Sequence, residues 1–328
     1  MKKKLMAWFL VLGMAVTGLV GCGGQSGETD TDTASEDGAA AEEGGSERGN
    51  AFKFGFITLA DSDVWCKSVC TAFEEYVAET YPDCEVVTAD GKADANIQIQ
   101  SVENFIAQQV DAIIIQPADA DAAGPAIEAA NAAGIPVIST AIRANSGDYT
   151  YVGPENIEAG AMHAEYIMEH CDPGAKILYL QGTAGLSHST DRYNGFIDTL
   201  DEAGFDYELL AAQDGDYLRT EGLRIMEDWI QKYPEFDAVV SSNDEMALGA
   251  IEALKAANIE DVVVLGLDAT DDARAEIKAG TMSGSLKQDA VIIANTSADL
   301  AVKAAQGEEI EDTYVDWVMI TKDNVDTE

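Results

Sequence analysis

Short apolar runs in this 328-residue chain end, one after another, in side chains that hydrogen-bond or offer flat aromatic faces. Past FGFITL stand Asp61, Ser62, Asp63 and Trp65, and IPVIST closes on Thr140 with Arg143 just beyond. The stretch QGTAGLSHSTDRYNGF supplies His188, Thr190 and Arg192, and QDGDYLR supplies Asp216 and Tyr217. Further on come Asn243 with Asp244, Asp268 in GLDAT and Gln288 in SLKQD. Carboxylates, amides and guanidinium groups pair with the donors and acceptors of a polar small molecule, while ring faces cover its apolar side. That is binding chemistry. No nucleophile elbow, H-E-x-x-H, Walker A or G-x-G-x-x-G follows a strand-like run. The GTAG of Gly182 to Gly185 looks like a phosphate loop but lacks its lysine. Carboxylates are too numerous for counting to test a glycosidase pair; product formation on incubation would separate an exported hydrolase from a binder.

Plainer readings exist for single members of the set. Ser242 and Glu245 fit a capping box, S-x-x-E, which would start a helix and leave Asn243 for a cleft. Trp65 could be core, His188 an ordinary loop residue and Asp268 a helix cap. Their recurrence at strand ends favours one shared site, because ligands of open parallel sheets bind beyond the carboxyl ends of the strands.

Those ends need strands to carry them. FGFITL, CEVVTA, DAIIIQ, IPVIST, AKILYL, YELLAA, DAVVSS and DVVVLG read as strands, and amphipathic stretches between them read as helices. Trp65, Val69, Phe73 and Val77 make one apolar stripe in the first helix; Ile97, Val102, Phe105 and Ile106 do so in the second; NAAGIP stops the third. Continuous apolar strands alternating with helices predict parallel sheets covered on both faces. Four βα units run from Phe54 to Thr140, the short strand YTYVG follows, and four more run from Ala175 to about Gly280. Two similar lobes predict a cleft between them.

The ends of the chain read differently. Met1 to Lys4 (MKKK) precede the apolar run Leu5 to Val20, the pattern of an export signal and slightly short for a membrane span. Leu19-Val20-Gly21-Cys22 resembles the lipobox of bacterial lipoproteins, which implies cleavage before Cys22 and diacylglyceryl attachment to it; two acyl chains anchor stably. Gly23 to Asn50 contains no aromatic or β-branched aliphatic residue and reads as a disordered acidic spacer. The formal net charge of −41 becomes about −44 once a leader with three Lys and no acid is removed. Such a surface repels phosphates and excludes nucleic acid as a partner; solubility explains the acidity. With three His in the chain no metal site is expected, and Cys66, Cys70, Cys84 and Cys171 read as free thiols.

SVENFIAQQVDAIIIQPADADAAGPAIEAANAAGIPV, with NDEMALGAIEAL and VVVLGLDAT, resembles the type I periplasmic sugar-binding proteins of the ribose and galactose kind, the substrate-receiving subunits of ABC importers. The resemblance covers about Phe54 to Asn324. It implies an α/β fold: two Rossmann-like doubly wound parallel-sheet lobes joined by three crossovers, near Gly153 to Asn156, Gln288 and Asp289, and Asp316 and Trp317. The implied division is residues 1–21 signal peptide, 22–50 lipidated Cys and linker, 51–154 plus 289–316 one lobe, and 155–288 plus 317–328 the other. Positions matching the family's site are Asp63, Trp65, Tyr217, Asn243, Asp268 and Gln288, joined by Arg143, His188 and Arg192. Ala141-Ile142 stand where ribose binders carry an Asp-Arg pair, Thr190 replaces an arginine and Leu267 an aromatic, so the implied ligand is a neutral monosaccharide or cyclic polyol other than ribose. His188 resembles galactose-type or polyol sites. The implied protein is a monomeric binder without cofactor or catalytic activity, lipid-anchored outside the cytoplasmic membrane, that delivers its ligand to an ABC permease. A sensory role in chemotaxis or signalling, or a non-sugar ligand, is the alternative. A sugar-responsive repressor shares the core but would need a basic helix-turn-helix where this chain has its signal and acidic spacer.

Overall fold

The computed structural model describes residues 51–328; the expected signal peptide, Cys22 lipidation site and acidic spacer lie outside the described residues. The first sheet contains β1 (Lys53–Thr58), β2 (Glu85–Asp90), β3 (Ala112–Ile115), β4 (Val137–Thr140), β5 (Thr150–Gly153) and a late strand, β11 (Thr313–Tyr314), in the order β11-β5-β4-β3-β1-β2. The second holds β6 (Ala175–Gln181), β7 (Tyr207–Asp214), β8 (Ala238–Ser241), β9 (Val263–Asp268), β10 (Gly284–Lys287) and β12 (Val318–Thr321), in the order β12-β10-β9-β8-β6-β7. Every pairing is parallel except β10 with β12. Central strands AIII, VIST and AVVS are buried at all four positions, as layers of helix on both faces require. The edge strand β2 is only half-buried.

Nine helices fill the connections among the described residues: α1 (Val64–Thr80), α2 (Ala95–Ala107), α3 (Ala123–Ala132), α4 (Asn156–His170), α5 (Ser187–Ala203), α6 (Arg219–Lys232), α7 (Asp244–Ala257), α8 (Asp271–Ala279) and α9 (Ala290–Ala305). α1 buries Val69, Phe73 and Val77 as its stripe predicts, but Cys66 and Cys70 complete the buried face and Trp65 stays half-exposed. α2 buries Val102 and Phe105 together with Gln98, whose Nε2 donates to the carbonyls of Thr58 and Gln116 at 3.0 and 2.8 Å. One buried amide thus ties the ends of β1 and β3 together. Among the described residues Cys66, Cys70 and Cys171 form no disulfide.

The chain changes lobe three times. It leaves β5 for α4 in the second lobe, returns from β10 into α9, and crosses again from β11 to β12. α9 belongs with the first lobe: Ile293, Ala294, Ala298 and Ala301 pack among Val69, Phe73 and Phe56. In the second lobe α4 and α5 approach so closely that a Cβ on Gly195 would lie 2.0 Å from the Ile157 carbonyl oxygen, and one on Gly160 would lie 2.1 Å from that of Arg192. Backbone cannot retreat as a side chain can. Gly195→Val should therefore lower stability by about 1–3 kcal/mol or more by overpacking; an unchanged thermal midpoint would show that the two helices have room to part.

Candidate functional site

Strand ends of the two sheets face each other, and a chamber of about 360 Å³ outside protein atoms lies between them. Asp63, Trp65, His188, Arg192, Tyr217, Asn243, Asp268 and Gln288 line it, together with an apolar wall of Leu59, Cys66, Ala141 and Ile142. The lobes touch around it: Leu186 packs among Leu59, Cys66 and Ile142, Ala120 N donates to Gly185 O at 3.2 Å, and Ser187 Oγ donates to Arg143 O at 3.0 Å.

Helix starts place the first-lobe and α7 residues. Asp63 is the N-cap of α1, its Oδ1 accepting from Cys66 N at 2.8 Å, and burial pushes its carboxyl pKa up. Trp65 follows on the first turn and donates Nε1–H to the Gln288 carbonyl at 3.0 Å, fastening the first lobe to a crossover. Asn243, not Ser242, caps α7: its Oδ1 accepts from Met246 N at 3.0 Å, and its Nδ2 donates to Tyr217 O at 3.2 Å. The capping box expected from Ser242 and Glu245 does not form. Glu245 instead takes both its oxygens to Arg219, at 2.9 Å each.

Arg192 is the cation of the chamber, with 4% of its surface exposed. Nε donates to Asn156 Oδ1 at 2.8 Å, Nη1 to Ser242 O at 2.8 Å, and Nη2 reaches Gln288 Oε1 at 3.5 Å. All three acceptors are neutral, so among the described residues the guanidinium meets no directly bound counter-ion; it lies beside the Trp317 ring at 5.7 Å. His188 stacks on Tyr217 with centroids 5.2 Å apart and planes at 18°. Its Nδ1 is buried and meets no partner among the described residues, and burial, then the Arg192 charge, hold its pKa well below the ordinary value.

Asp268 is no helix cap: Thr270 caps α8, and Asp268 ends β9 with φ at +116°. A non-glycine residue held there stores strain, a cost tolerated at ligand sites. Burial, and after it the charge of Asp244, raise the Asp268 carboxyl well above the carboxylate range. Asp244 is buried behind it, accepting from Ser285 Oγ at 2.6 Å and Thr270 N at 2.7 Å, with its own pKa raised by burial. The sequence placed Asp244 at a strand end without giving it a role.

Arg143 does not reach the chamber. Its Nη2 donates to Glu155 Oε1 at 2.8 Å and to Tyr314 Oη at 3.2 Å, its Nη1 lies 3.7 Å from Asp312 Oδ2, and its guanidinium covers the Tyr151 ring at 3.7 Å. The chain turns at Ala141, with φ at +60°, and apolar Ile142 faces the chamber instead. Arg143 is a crossover residue. Thr190 is exposed.

Below the site, His163 is buried with Nε2 2.9 Å from Gly266 O, and burial lowers its pKa to about 4. A histidine whose folded value is depressed below the unfolded ~6.5 stabilises the fold at neutral pH, and that contribution is lost as pH falls from about 6.5 toward 4. Between pH 7.5 and 5 this amounts to about 2 kcal/mol. The melting temperature of His163→Gln, which keeps a donor for Gly266, should fall less over that interval than that of the unaltered protein; parallel curves would contradict this.

Two α/β lobes that meet at one polar chamber define a two-lobed binding protein. The chain belongs to the periplasmic binding protein family, whose "Periplasmic binding protein domain" matches residues 54–309. It is 35% identical over 230 residues to the ribose import binding protein of Bacillus subtilis, covering 70% of this chain and 74% of that protein. It is 34% identical over 248 residues to the xylitol-binding protein of Mycolicibacterium smegmatis, covering 74% of this chain and 70% of that one. Among solved structures, an ABC transporter solute-binding protein from Bacillus halodurans with bound myo-inositol superimposes with a TM-score of 0.80 at 34% identity, over 84% of this chain and 96% of that one. The expected type I binding-protein fold is thereby established.

Proposed function

We propose that this chain is a lipid-anchored extracytoplasmic receptor that captures one monosaccharide or cyclic polyol between its lobes and delivers it to the permease of an ABC importer. The observation that carries this reading is the convergence of Asp63 from one lobe with Asp268 and Arg192 from the other on a chamber flanked by Trp65 and Tyr217. Hydroxyl-rich rings need both parts: hydrogen-bonding groups for the rim, and aromatic faces for the C–H surface. His188, Asn243 and Gln288 complete the ligand set, while Arg143 holds the crossovers. The names of the ribose, xylitol and myo-inositol relatives support this ligand class. The two lobes, 51–154 with 289–316 and 155–288 with 317–328, would open and close about the three crossovers.

A thermal-shift screen with galactose, glucose, xylose, ribose and myo-inositol tests the reading. Ligand a thousandfold above Kd stabilises by about 4 kcal/mol. If none of these shifts the midpoint while an amino acid, nucleoside or peptide does, the assignment fails. Cys22 would carry the anchor, residues 1–21 being removed. Cys22→Ala should release the protein from membranes or block its processing; normal cleavage with unchanged membrane retention would contradict the anchor.

A further inference from the structure

Asp268 reaches the chamber from a turn that an L-residue does not adopt without support. β9 ends with φ at +116° for Asp268, and Ala269 follows at +52°, two consecutive non-glycine residues at positive φ. Such conformations are unfavourable and persist only where the surroundings over-determine them. Here two side chains from other elements do so. Ser285 Oγ, on β10, accepts from Ala269 N at 2.9 Å and donates its own proton to Asp244 Oδ1 at 2.6 Å. The second oxygen, Asp244 Oδ2, accepts from Thr270 N at 2.7 Å. Asp244 and Ser285 are both fully buried, away from water that could take over these bonds. On the outer side of the turn, half-exposed Arg274 donates Nε–H to Ala269 O at 2.8 Å.

Three elements build this brace. Asp244 opens α7, and a Cβ on Gly266 of β9 would collide with its carboxylate, so the glycine is what admits the side chain alongside the strand. Parallel pairing then sets Ser285 opposite Gly266 and Lys287 opposite Asp268. The donors fix the chemistry of the brace. Ser285 has a single proton, which goes to Asp244 while its oxygen accepts from Ala269 N. Asp244 therefore receives two donors, one on each oxygen, a pattern that an acceptor-only carboxylate satisfies and an amide does not. Asp244 does not itself line the chamber; Asp268 does.

We propose that Asp244 is a positioning residue for ligand binding: with Ser285 it locks the backbone of Ala269 and Thr270, and that lock keeps the Asp268 carboxyl in the chamber. The effect on affinity rests on the reading of the protein as a sugar or polyol receptor; the effect on Asp268 does not. Asp244→Asn preserves size but turns an NH2 group toward one of the two donors. Ser285→Ala leaves Ala269 N without its acceptor, and serves if Asp244→Asn fails to fold. Crystal structures of these variants should show Asp268 at negative φ with its carboxyl withdrawn from the chamber. Calorimetric titration uses whichever of galactose, glucose, xylose, ribose and myo-inositol shifts the thermal midpoint most, and should show affinity weakened about fivefold or more. Asp268→Gly removes the carboxyl and takes up positive φ without strain. Adding Asp244→Asn to Asp268→Gly should then change affinity by less than about twofold, whereas a purely structural role would lose the same factor in both backgrounds. If Asp268→Gly binds too weakly to titrate, the variant structures decide. An unmoved Asp268, an unchanged affinity, or an equal loss in both backgrounds overturns the proposal. If none of the five sugars binds while Asp268 moves, the receptor reading fails and the brace stands.

Discussion

Arg192→Met will reduce ligand affinity by at least about a hundredfold and lower the thermal midpoint of the unliganded protein as well. The side chain is buried and bridges three parts of the structure: Asn156 at the start of α4, the Ser242 carbonyl beyond β8, and Gln288 at a crossover. Removing it leaves those acceptors without donors inside the protein, and deprives Asp63 and Asp268 of the one cation that faces them. Leaving a buried acceptor without its donor costs about 1–3 kcal/mol, and about 3 kcal/mol in binding corresponds to a factor of 150. Calorimetry and thermal melting of the variant check both effects. Affinity within threefold of the unaltered protein would mean that Arg192 is a structural strut with no part in binding. Arg192→Lys keeps the charge but not the fork geometry, and should recover part of the affinity.

Asn243→Ala is the second large effect, and it will appear twice. The sequence cast Asn243 as a ligand residue that leaves the fold alone. Because it caps α7, its loss should cost about 0.5–2 kcal/mol of stability without ligand present. The same substitution frees the Tyr217 loop, whose Asp216 and Tyr217 both sit at positive φ, and affinity should fall five- to 150-fold, about 1–3 kcal/mol. Asn243→Asp separates the two roles. Aspartate caps a helix as well as asparagine does, so the midpoint should be retained while the donor to Tyr217 O is lost and affinity drops. An Asn243→Ala midpoint equal to that of the unaltered protein would restore the simpler reading.

Much of the fold was legible because burial on both faces leaves an unmistakable mark: AIII, VIST and AVVS have no polar alternation to confuse with an exposed edge. β10, β11 and β12 left no such mark. They span four, two and four residues, and their pairing joins segments far apart in the chain. The site was legible to the extent that strand ends fix position: eight of the nine residues chosen line one chamber. Direction was not legible. Arg143 turns outward because Ala141 adopts a left-handed conformation that nothing in IPVISTAIRA announces. The helix start at α7 lay one residue later than the S-x-x-E spacing suggested, since Asn243 competes for the cap and wins. The buried pair of Asp244 and Asp268 depends on Ser285, brought alongside by the pairing of β10 with β9, a register that no local pattern encodes.

On the proposed function, a small polyhydroxylated ligand is held inside the interlobe chamber by groups from both lobes. A crystal structure of the protein with the ligand that gives the largest thermal shift tests this most directly. Ring density is expected between Trp65 and Tyr217, with ligand hydroxyl groups within hydrogen-bond distance of Asp63 from one lobe and of Asp268 and Arg192 from the other. Density outside the chamber, or a ligand touching one lobe alone with Asp63 or Asp268 unengaged, would contradict it.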